Sequence, residues 1–410
     1  MNKPYLNSIE TLQAPLSQQK RIESIDLLRG LAMIVMALDH VRDYFHILAF
    51  TTNPMDPETT NLALYFSRWI THFCAPFFVF LSGTSIYLQS QRKSKSELSK
   101  FLIIRGLWLV FVEMAIITLA WSFNPFYNFF FLQVIWAIGL SMLLMGILIW
   151  LPFRTMLAIG FLIVLGHNAF DAMEAAKGFQ SNFWWDMIHI GNFAVHPITS
   201  THAVGFIYPF LPWTGVMILG YGAGVFYSPK YSPAQRRKIL TYLGLGLLFL
   251  FVTLRWINVY GDPKPWTYQK NALATVFSFL DVNKYPPSLL FTCMTLAPLL
   301  LLLAAWENLK NGFARVCIIF GRTAFFYYIL HLYLIHFLAT ISFYLRGHSL
   351  QQLAEQNIRL PFWFIYPGDG YSLGVTYLWW ILIVALLFPL CYWYNNYKSK
   401  HRHYWWLSYL

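Results

Sequence analysis

Long apolar runs, separated by short polar segments, occupy most of the chain after residue 21. About 20 apolar residues are needed to cross the ~30 Å hydrocarbon core of a bilayer. We therefore predict an all-α integral membrane protein, a polytopic bundle of about ten transmembrane helices. The predicted spans are 25–48, 61–89, 101–121, 127–150, 153–168, 203–227, 238–259, 286–306, 316–342 and 373–394.

The same pattern predicts one membrane domain, residues 21–395, between polar tails at 1–20 and 396–410. The first twenty residues contain no apolar core, so we expect no cleavable signal peptide. The first apolar helix would then act as an uncleaved anchor.

The composition agrees with a body embedded in lipid. Of the 410 residues, 58% are hydrophobic and 11% are charged, whereas soluble domains carry about a quarter charged residues. Aromatic residues reach 19%, and such rings collect where lipid meets water. We expect lipid to be a partner of most of the surface.

The basic residues predict the orientation, because Lys and Arg concentrate in cytoplasmic loops. With the N-terminus inside, 18 of the 29 basic residues fall on the cytoplasmic side. Both termini are therefore predicted to be cytoplasmic, in a plasma membrane that we expect to be a bacterial inner membrane. The net charge of +12 does not indicate nucleic-acid binding, since the basic residues form short clusters between apolar runs.

The four cysteines do not predict a metal site or a disulfide framework. Cys74, Cys293, Cys317 and Cys391 are far apart and form no CxxC pair. We interpret them as buried thiols, and we expect no metal.

The first predicted span carries many ionisable residues. One charge near the bilayer centre costs at least ~2.5–3.5 kcal/mol on insertion scales. These side chains should therefore face a protein interior or a water-filled cavity, and a functional role is the default hypothesis. They are Asp26, Arg29, Asp39, His40, Arg42, Asp43 and His46.

Two of these residues share one stripe of the helix. Arg29 and His40 are eleven residues apart, three turns plus about 20°, and about 16 Å apart along the axis. An extended anionic molecule such as a coenzyme A thioester could lie between them. His40 is the natural general base, because His exchanges protons near neutrality. Asp39 points about 100° away, and Asp39 and Asp43 could instead pair with Arg42.

Further polar residues are predicted at the depth of His40, namely His72, Glu113 and His331. An isolated intramembrane His can simply form a hydrogen bond to a neighbouring helix. For Glu113, a structural pairing and a functional role are equally favoured. The long outer loops, 169–202, 260–285 and 343–372, are rich in Trp, Tyr, Asn, Gly and Pro. Such loops suit a sugar acceptor, but on composition alone interfacial anchoring is the favoured interpretation.

Several motifs, in order, resemble one family. They are Arg21–Gly30 leading to Asp39-His40, Phe77–Gly83, Lys284–Leu289, Gly321–Tyr327 and Trp405–Leu410. Together they resemble the heparan-α-glucosaminide N-acetyltransferase catalytic-domain family, in its bacterial branch, within the broader transmembrane acyltransferase superfamily. The likeness runs from residue 21 to residue 410.

The resemblance implies transfer of an acyl group, usually acetyl, from cytoplasmic acetyl-CoA to a sugar or glycan across the membrane. It implies a catalytic role for His40 and a donor-binding role for Arg29. In the animal lysosomal branch an Asn aligns with His40 and the catalytic His falls near His46, so both histidines remain candidates. The full catalytic set is His40, His46, Asp39 and Glu113. The donor-binding set is Arg29, Arg105 and Arg322, and the substrate-binding set is His72, His202, Trp213, Lys284 and His331.

Two other functions remain open at this point. A transporter of a glycan or acyl intermediate would use the same intramembrane charges. A b-type haem protein would use paired histidines. The sequence also leaves open a homodimer, the acceptor, N- or O-acylation, and a direct or acyl-enzyme route.

Overall fold

A computed structural model describes residues 22–355, 361–401 and 403–408 of the chain. The predicted N-terminal tail, 1–20, lies outside these residues. The described part is mostly helical, with a small sheet at one end. Its principal helices are α1 (Glu23–Phe45), α2 (Leu62–Ser90), α3 (Lys95–Ser122), α4 (Val134–Leu148), α5 (Phe153–Glu174), α6 (Phe210–Tyr227), α7 (Pro233–Ile257), α8 (Ala272–Leu280), α9 (Leu289–Ala305), α10 (Gly312–Arg322), α11 (Ala324–Leu345) and α12 (Leu373–Lys400). Short helical turns lie at Phe183–Trp185, Asp186–Ile190, Leu350–Glu355 and Trp405–Ser408.

Seven helices in the described part are long and apolar enough to cross a membrane, namely α2, α3, α5, α6, α7, α11 and α12. All seven coincide with predicted spans. Helices α4 and α9 are apolar but shorter, and α1 is 23 residues long but rich in charge. The chain is therefore a helical membrane protein.

Two segments predicted as the beginnings of helical spans are β-strands instead. A three-stranded sheet consists of β1 (Phe129–Leu132), β2 (Ala194–Pro197) and β3 (Ala203–Phe206). β3 lies in the middle, parallel to β1 and antiparallel to β2. Short apolar runs do not distinguish strand from helix, and aromatic and β-branched residues fit a pleated surface. The predicted spans 127–150 and 203–227 are therefore wrong over their first residues.

Two further boundaries differ from the prediction. The span predicted at 316–342 is divided at Thr323, whose φ of −115° and ψ of 23° separate α10 from α11. Helix α12 continues to Lys400, past the predicted domain boundary at 395. The first part of the predicted C-terminal tail, 396–410, is therefore helical.

Close backbone approach fixes α1 against α10. A Cβ atom added at Gly30 would lie 1.7 Å from the Cys317 carbonyl oxygen, and one at Gly321 would lie 1.8 Å from the Asp26 carbonyl oxygen. Only glycine permits this contact, as small residues do at helix interfaces in membranes. The contact holds the charged helix in the protein interior, where α2, α11 and α12 also pack against it.

The four cysteines are buried and free, as the sequence predicts. Cys317 lies at the contact between α1 and α10, where its carbonyl group meets Gly30. A buried thiol there acts as a small apolar side chain.

Candidate active site

A large cavity beside α1 has eight aromatic side chains in its lining and is called the aromatic cavity below. Its volume is about 760 Å³. The charged and titratable side chains that line it are Asp39, His40, Arg42, Asp43, Arg68, Lys284 and Tyr285. Its other aromatic lining residues are Phe50, Trp121, Phe129, Phe131, Phe193, Tyr208 and Phe362. The β1 segment, missed as a strand by the sequence, supplies part of this wall.

His40 lies in this cavity and contacts a second histidine. Its Nδ1 is 2.7 Å from Nε2 of His331, and its ring meets Trp121 edge-on at a centroid distance of 4.9 Å. His331 is completely buried and lines neither cavity. The prediction placed these histidines at one depth, and the structure brings them into hydrogen-bond contact.

Asp39 is paired with cations and not with the imidazole of His40. Its carboxylate forms an ion pair with Arg68 and another with Arg42 at 3.0 Å. Arg42 also meets Asp43 at 2.7 Å. These contacts are the pairing of Asp39 and Asp43 with Arg42 that the sequence offered as the alternative to a catalytic role. Arg68, which lies on α2, is the partner that sequence reasoning missed.

His46 lies at the end of α1, away from His40. Its Nδ1 accepts a hydrogen bond from the Leu48 amide at 3.3 Å. It lines a separate small cavity of about 30 Å³, and it does not line the aromatic cavity. Of the two histidines, only His40 faces a cavity large enough for a sugar.

Glu113 caps the beginning of α4. Its carboxylate accepts hydrogen bonds from the amides of Gln133 at 3.0 Å and Trp136 at 3.2 Å. The side chain is completely buried and lines neither cavity. A carboxylate at a helix N-terminus satisfies otherwise unpaired amides, so these contacts are those of a structural cap.

Of the five predicted substrate-binding residues, Lys284 lines the aromatic cavity. Its Nζ lies 5.1 Å from the ring centroid of Tyr285 and 5.9 Å from that of Tyr208. His72 and Trp213 are buried and line neither cavity, and His202 bonds Thr201 in the loop between β2 and β3.

Hydrogen bonds to Asp262 stabilise the turn that carries Lys284. Oδ2 of Asp262 accepts a hydrogen bond from the Asn283 amide at 2.8 Å and from the Ser288 hydroxyl at 2.7 Å. Asp262 is itself 3.7 Å from the buried Arg255. One carboxylate therefore ties both ends of the turn and fixes where Lys284 and its neighbour enter the cavity.

The second cavity is lined by cations and is called the cationic cavity below. Its volume is about 540 Å³. All three predicted donor-binding residues, Arg29, Arg105 and Arg322, line it, together with Lys93 and Lys398. No Asp or Glu among the described residues lines it. Arg29 is positioned by Asp26 at 3.2 Å and by the Ser85 hydroxyl at 3.0 Å.

Helix α1 connects the two cavities, with Arg29 and Met33 at the cationic cavity and Asp39 and His40 at the aromatic one. No described residue lines both cavities. Tyr328, which the sequence did not single out, lines the cationic cavity while its ring lies 6.5 Å from that of His40. The cavities are therefore separated at this point by two adjacent side chains, Tyr328 and His40.

The helices and the two cavities define a polytopic membrane protein in which a charged helix, α1, lines two separate ligand-sized cavities. The family comparison identifies the class of membrane protein. A model of the family described as Heparan-alpha-glucosaminide N-acetyltransferase, catalytic, matches residues 21–261. The chain belongs to this family and is a membrane acetyltransferase. A search of curated proteins finds none that matches the chain.

The family match confirms the resemblance that the motifs predicted. It includes Arg29, Asp39 and His40, whereas His331 and the motif at 284–289 lie beyond the matched residues. The roles of individual residues stay predictions.

Proposed function

We propose that the protein transfers an acetyl group from cytoplasmic acetyl-CoA to an amine or hydroxyl of a sugar or glycan on the other side of the membrane. The observation that carries this proposal is the arrangement on α1. A cationic cavity and an aromatic cavity approach the same helix from different levels, and His40 stands at the wall between them.

The cationic cavity suits the donor. Arg29, Arg105 and Arg322 supply guanidinium groups, which bind phosphate oxygens with two parallel hydrogen bonds. The same cavity also has apolar lining residues, among them Met33, Ile135, Ile138 and Met142. A polyanion with a slender arm matches this change from charge to hydrocarbon, and its thioester end would point toward Tyr328.

The aromatic cavity suits the acceptor. Sugar rings stack on aromatic faces, and hydroxyl groups bind the polar side chains between them. Lys284 and Tyr285 enter this cavity on a rigid turn, opposite His40. His40 would take the proton of the attacking amine or hydroxyl, and the thiolate that leaves would receive it.

The cavity wall requires one movement. In the described conformation no residue lines both cavities, so the thioester reaches the nucleophile only when the ring of Tyr328 moves aside. Enzymes commonly complete a catalytic site by such local closure or opening.

The test measures transfer of labelled acetyl from acetyl-CoA to a panel of amino sugars and glycans by purified protein. Replacing His40 with Gln should lower the rate by about 10²–10⁴-fold, the usual contribution of a positioned acid or base. His401→Gln is the control, since His401 lies at the end of α12 and bonds the Tyr397 carbonyl. Turnover that survives in the His40 variant would remove His40 from the mechanism.

A transporter is distinguished by binding. Acetyl-CoA should raise the melting temperature of the proposed enzyme by mass action, and charge reversal at Arg29 and Arg322 should abolish this shift. No shift at millimolar acetyl-CoA, with export of a glycan, would support the transporter instead. The haem alternative has little support, because the nitrogens of His40 and His331 are a hydrogen-bond distance apart and not arranged as opposite ligands of one iron.

A further inference from the structure

The contact between His40 and His331 has a direction that follows from the groups around it. Nδ1 of His331 lies 3.0 Å from the carbonyl oxygen of Tyr327, one turn earlier in α11. A carbonyl oxygen only accepts hydrogen bonds, so the proton of a neutral His331 sits on Nδ1. Nε2 of His331 then carries a lone pair.

That lone pair decides the tautomer of His40. Since Nε2 of His331 accepts, Nδ1 of His40 must donate across the 2.7 Å that separates them. In the reverse arrangement His331 would turn an unprotonated Nδ1 toward a carbonyl oxygen, which places two lone pairs face to face. Nε2 of a neutral His40 is therefore the unprotonated nitrogen.

The free nitrogen of His40 is accessible. Nε2 has no hydrogen-bond partner among the residues that the structure describes, and this nitrogen is not a buried atom. His40 lines the aromatic cavity, so its open lone pair lies where an acceptor would bind. His331, in contrast, is fully buried and lines neither the aromatic nor the cationic cavity.

We propose that His331 is a positioning residue that holds His40 in the Nδ1–H tautomer, so that Nε2 is the base of the acyl transfer. This rests on the proposed function for its catalytic consequence, but the tautomer itself does not. The residue lies outside the segment that matches the family. The chain therefore uses a second histidine in the place where catalytic triads use a carboxylate.

The proton balance is complete with these two rings. The acceptor nitrogen or oxygen forms a bond to the acetyl carbonyl carbon and gives its proton to Nε2 of His40. The carbon–sulfur bond then breaks, and the thiolate takes that proton from Nε2. While His40 is charged, its Nδ1 proton is shared with Nε2 of His331, which spreads the charge over two imidazoles.

The direct test is ¹⁵N NMR of histidine-labelled protein in lipid nanodiscs, without any ligand. Protonated and unprotonated ring nitrogens have widely separated resonances, and the signals of His40 are assigned by their loss in His40→Gln. The expected result is Nδ1 protonated and Nε2 unprotonated. A neutral His40 that carries its proton on Nε2 in the wild-type protein would overturn the proposal.

Two substitutions at His331 separate its hydrogen bond from its bulk. His331→Gln keeps a carbonyl oxygen near the position of Nε2 and should preserve the tautomer of His40. His331→Phe keeps the ring but removes the acceptor, and should release His40 into a mixture of tautomers. His336→Phe is the control, since His336 is buried on the same helix but bonds the Ala120 and Trp363 carbonyls. A tautomer change in this control equal to that in His331→Phe would assign the effect to packing and overturn the proposal.

Activity provides the second readout. His331→Phe should lower kcat by 10²-fold or more, toward the ~10⁴-fold loss that accompanies a wrong tautomer in a triad. The affinity for acetyl-CoA should stay unchanged, and His331→Gln should recover most of kcat. An unchanged kcat in His331→Phe, with the tautomer altered, would refute the positioning role. If the tautomer is as stated but no variant or wild-type protein transfers acetyl, the proposed function fails and the tautomer assignment stands.

Discussion

At the scale of single residues, the wall between the two cavities concentrates the chemistry. His40 faces the aromatic cavity, and Tyr328 faces the cationic one. The Tyr328 side chain is 2% exposed and lines the cationic cavity, and its hydroxyl has no hydrogen-bond partner among the described residues. A donor so placed can bind the carbonyl oxygen of a thioester as negative charge develops on it.

Replacing Tyr328 with Phe should therefore lower kcat for acetyl transfer by about 10²–10³-fold, the usual loss on removing one such donor. The ring remains, so the affinity for acetyl-CoA and the melting temperature should change little. Steady-state kinetics with whichever sugar of the acceptor panel is acetylated measure this effect.

Tyr333→Phe is the matched control. Tyr333 lies on the same helix, and its hydroxyl donates to the Ile116 carbonyl at 2.9 Å without lining either cavity. Equal activity in the two variants would show that the Tyr328 hydroxyl takes no part in the reaction.

Which of these residues the sequence could reveal depends on the kind of signal each one leaves. His40 and Arg29 stand out because charges in an apolar run are costly and because their spacing puts them on one stripe. Tyr328 leaves no such signal, since tyrosines are frequent throughout this chain. The pairing of Asp39 with Arg68 depends on how α1 and α2 pack, and the sequence does not show which residues of the two helices face each other.

At the scale of elements, the position of α1 depends on the glycine contact with α10. Gly30→Ala should displace α1, because the added Cβ meets a backbone carbonyl that has no room to move. We expect a loss of several kcal/mol in stability, comparable with overpacked cores or worse, together with loss of acetyl transfer. This loss of stability is measured by thermal unfolding in detergent, with size-exclusion chromatography as the readout of folded protein.

Gly246→Ala in α7 is the control for helix propensity. A Cβ there meets nothing within 4 Å, so the substitution should be neutral or stabilise the helix by up to about 1 kcal/mol. If both alanine variants unfold at the wild-type temperature, the close contact between α1 and α10 does not determine the position of α1.

The elements were predictable to different degrees. Seven predicted spans coincide with helices able to cross a membrane, because a long apolar run in this chain has few alternatives to a helix. The strands β1 and β3 were missed, since four apolar residues carry no helical or strand period that can be recognised. The break at Thr323 was missed because apolar residues continue on both sides of Gly321 and Arg322, so the pattern predicts one span there.

At the scale of the whole molecule, the proposed orientation has a chemical test. The four native cysteines are buried, so single introduced cysteines can be labelled in intact cells against a low background. A membrane-impermeant maleimide should react with Lys270→Cys in the predicted outer loop but not with Lys95→Cys in the predicted cytoplasmic loop. Both positions should react after the cells are opened.

Labelling of Lys95→Cys in sealed cells would invert the topology and put the cationic cavity on the outside. Acetyl-CoA is cytoplasmic, so that result would also refute the assignment of this cavity to the donor. Labelling at both positions without permeabilisation would indicate leaky cells, which a cytosolic marker enzyme identifies and excludes.

The separation of the two cavities has a consequence for the cell as well as for the reaction. A membrane protein that binds a large polar ligand from each side of the bilayer could also let protons and ions pass through it. Among the described residues none lines both cavities, and Tyr328 and His40 lie next to each other between them. Under the proposed function, the same few rings that bring the two reactants together would also block the passage of protons and ions through the enzyme.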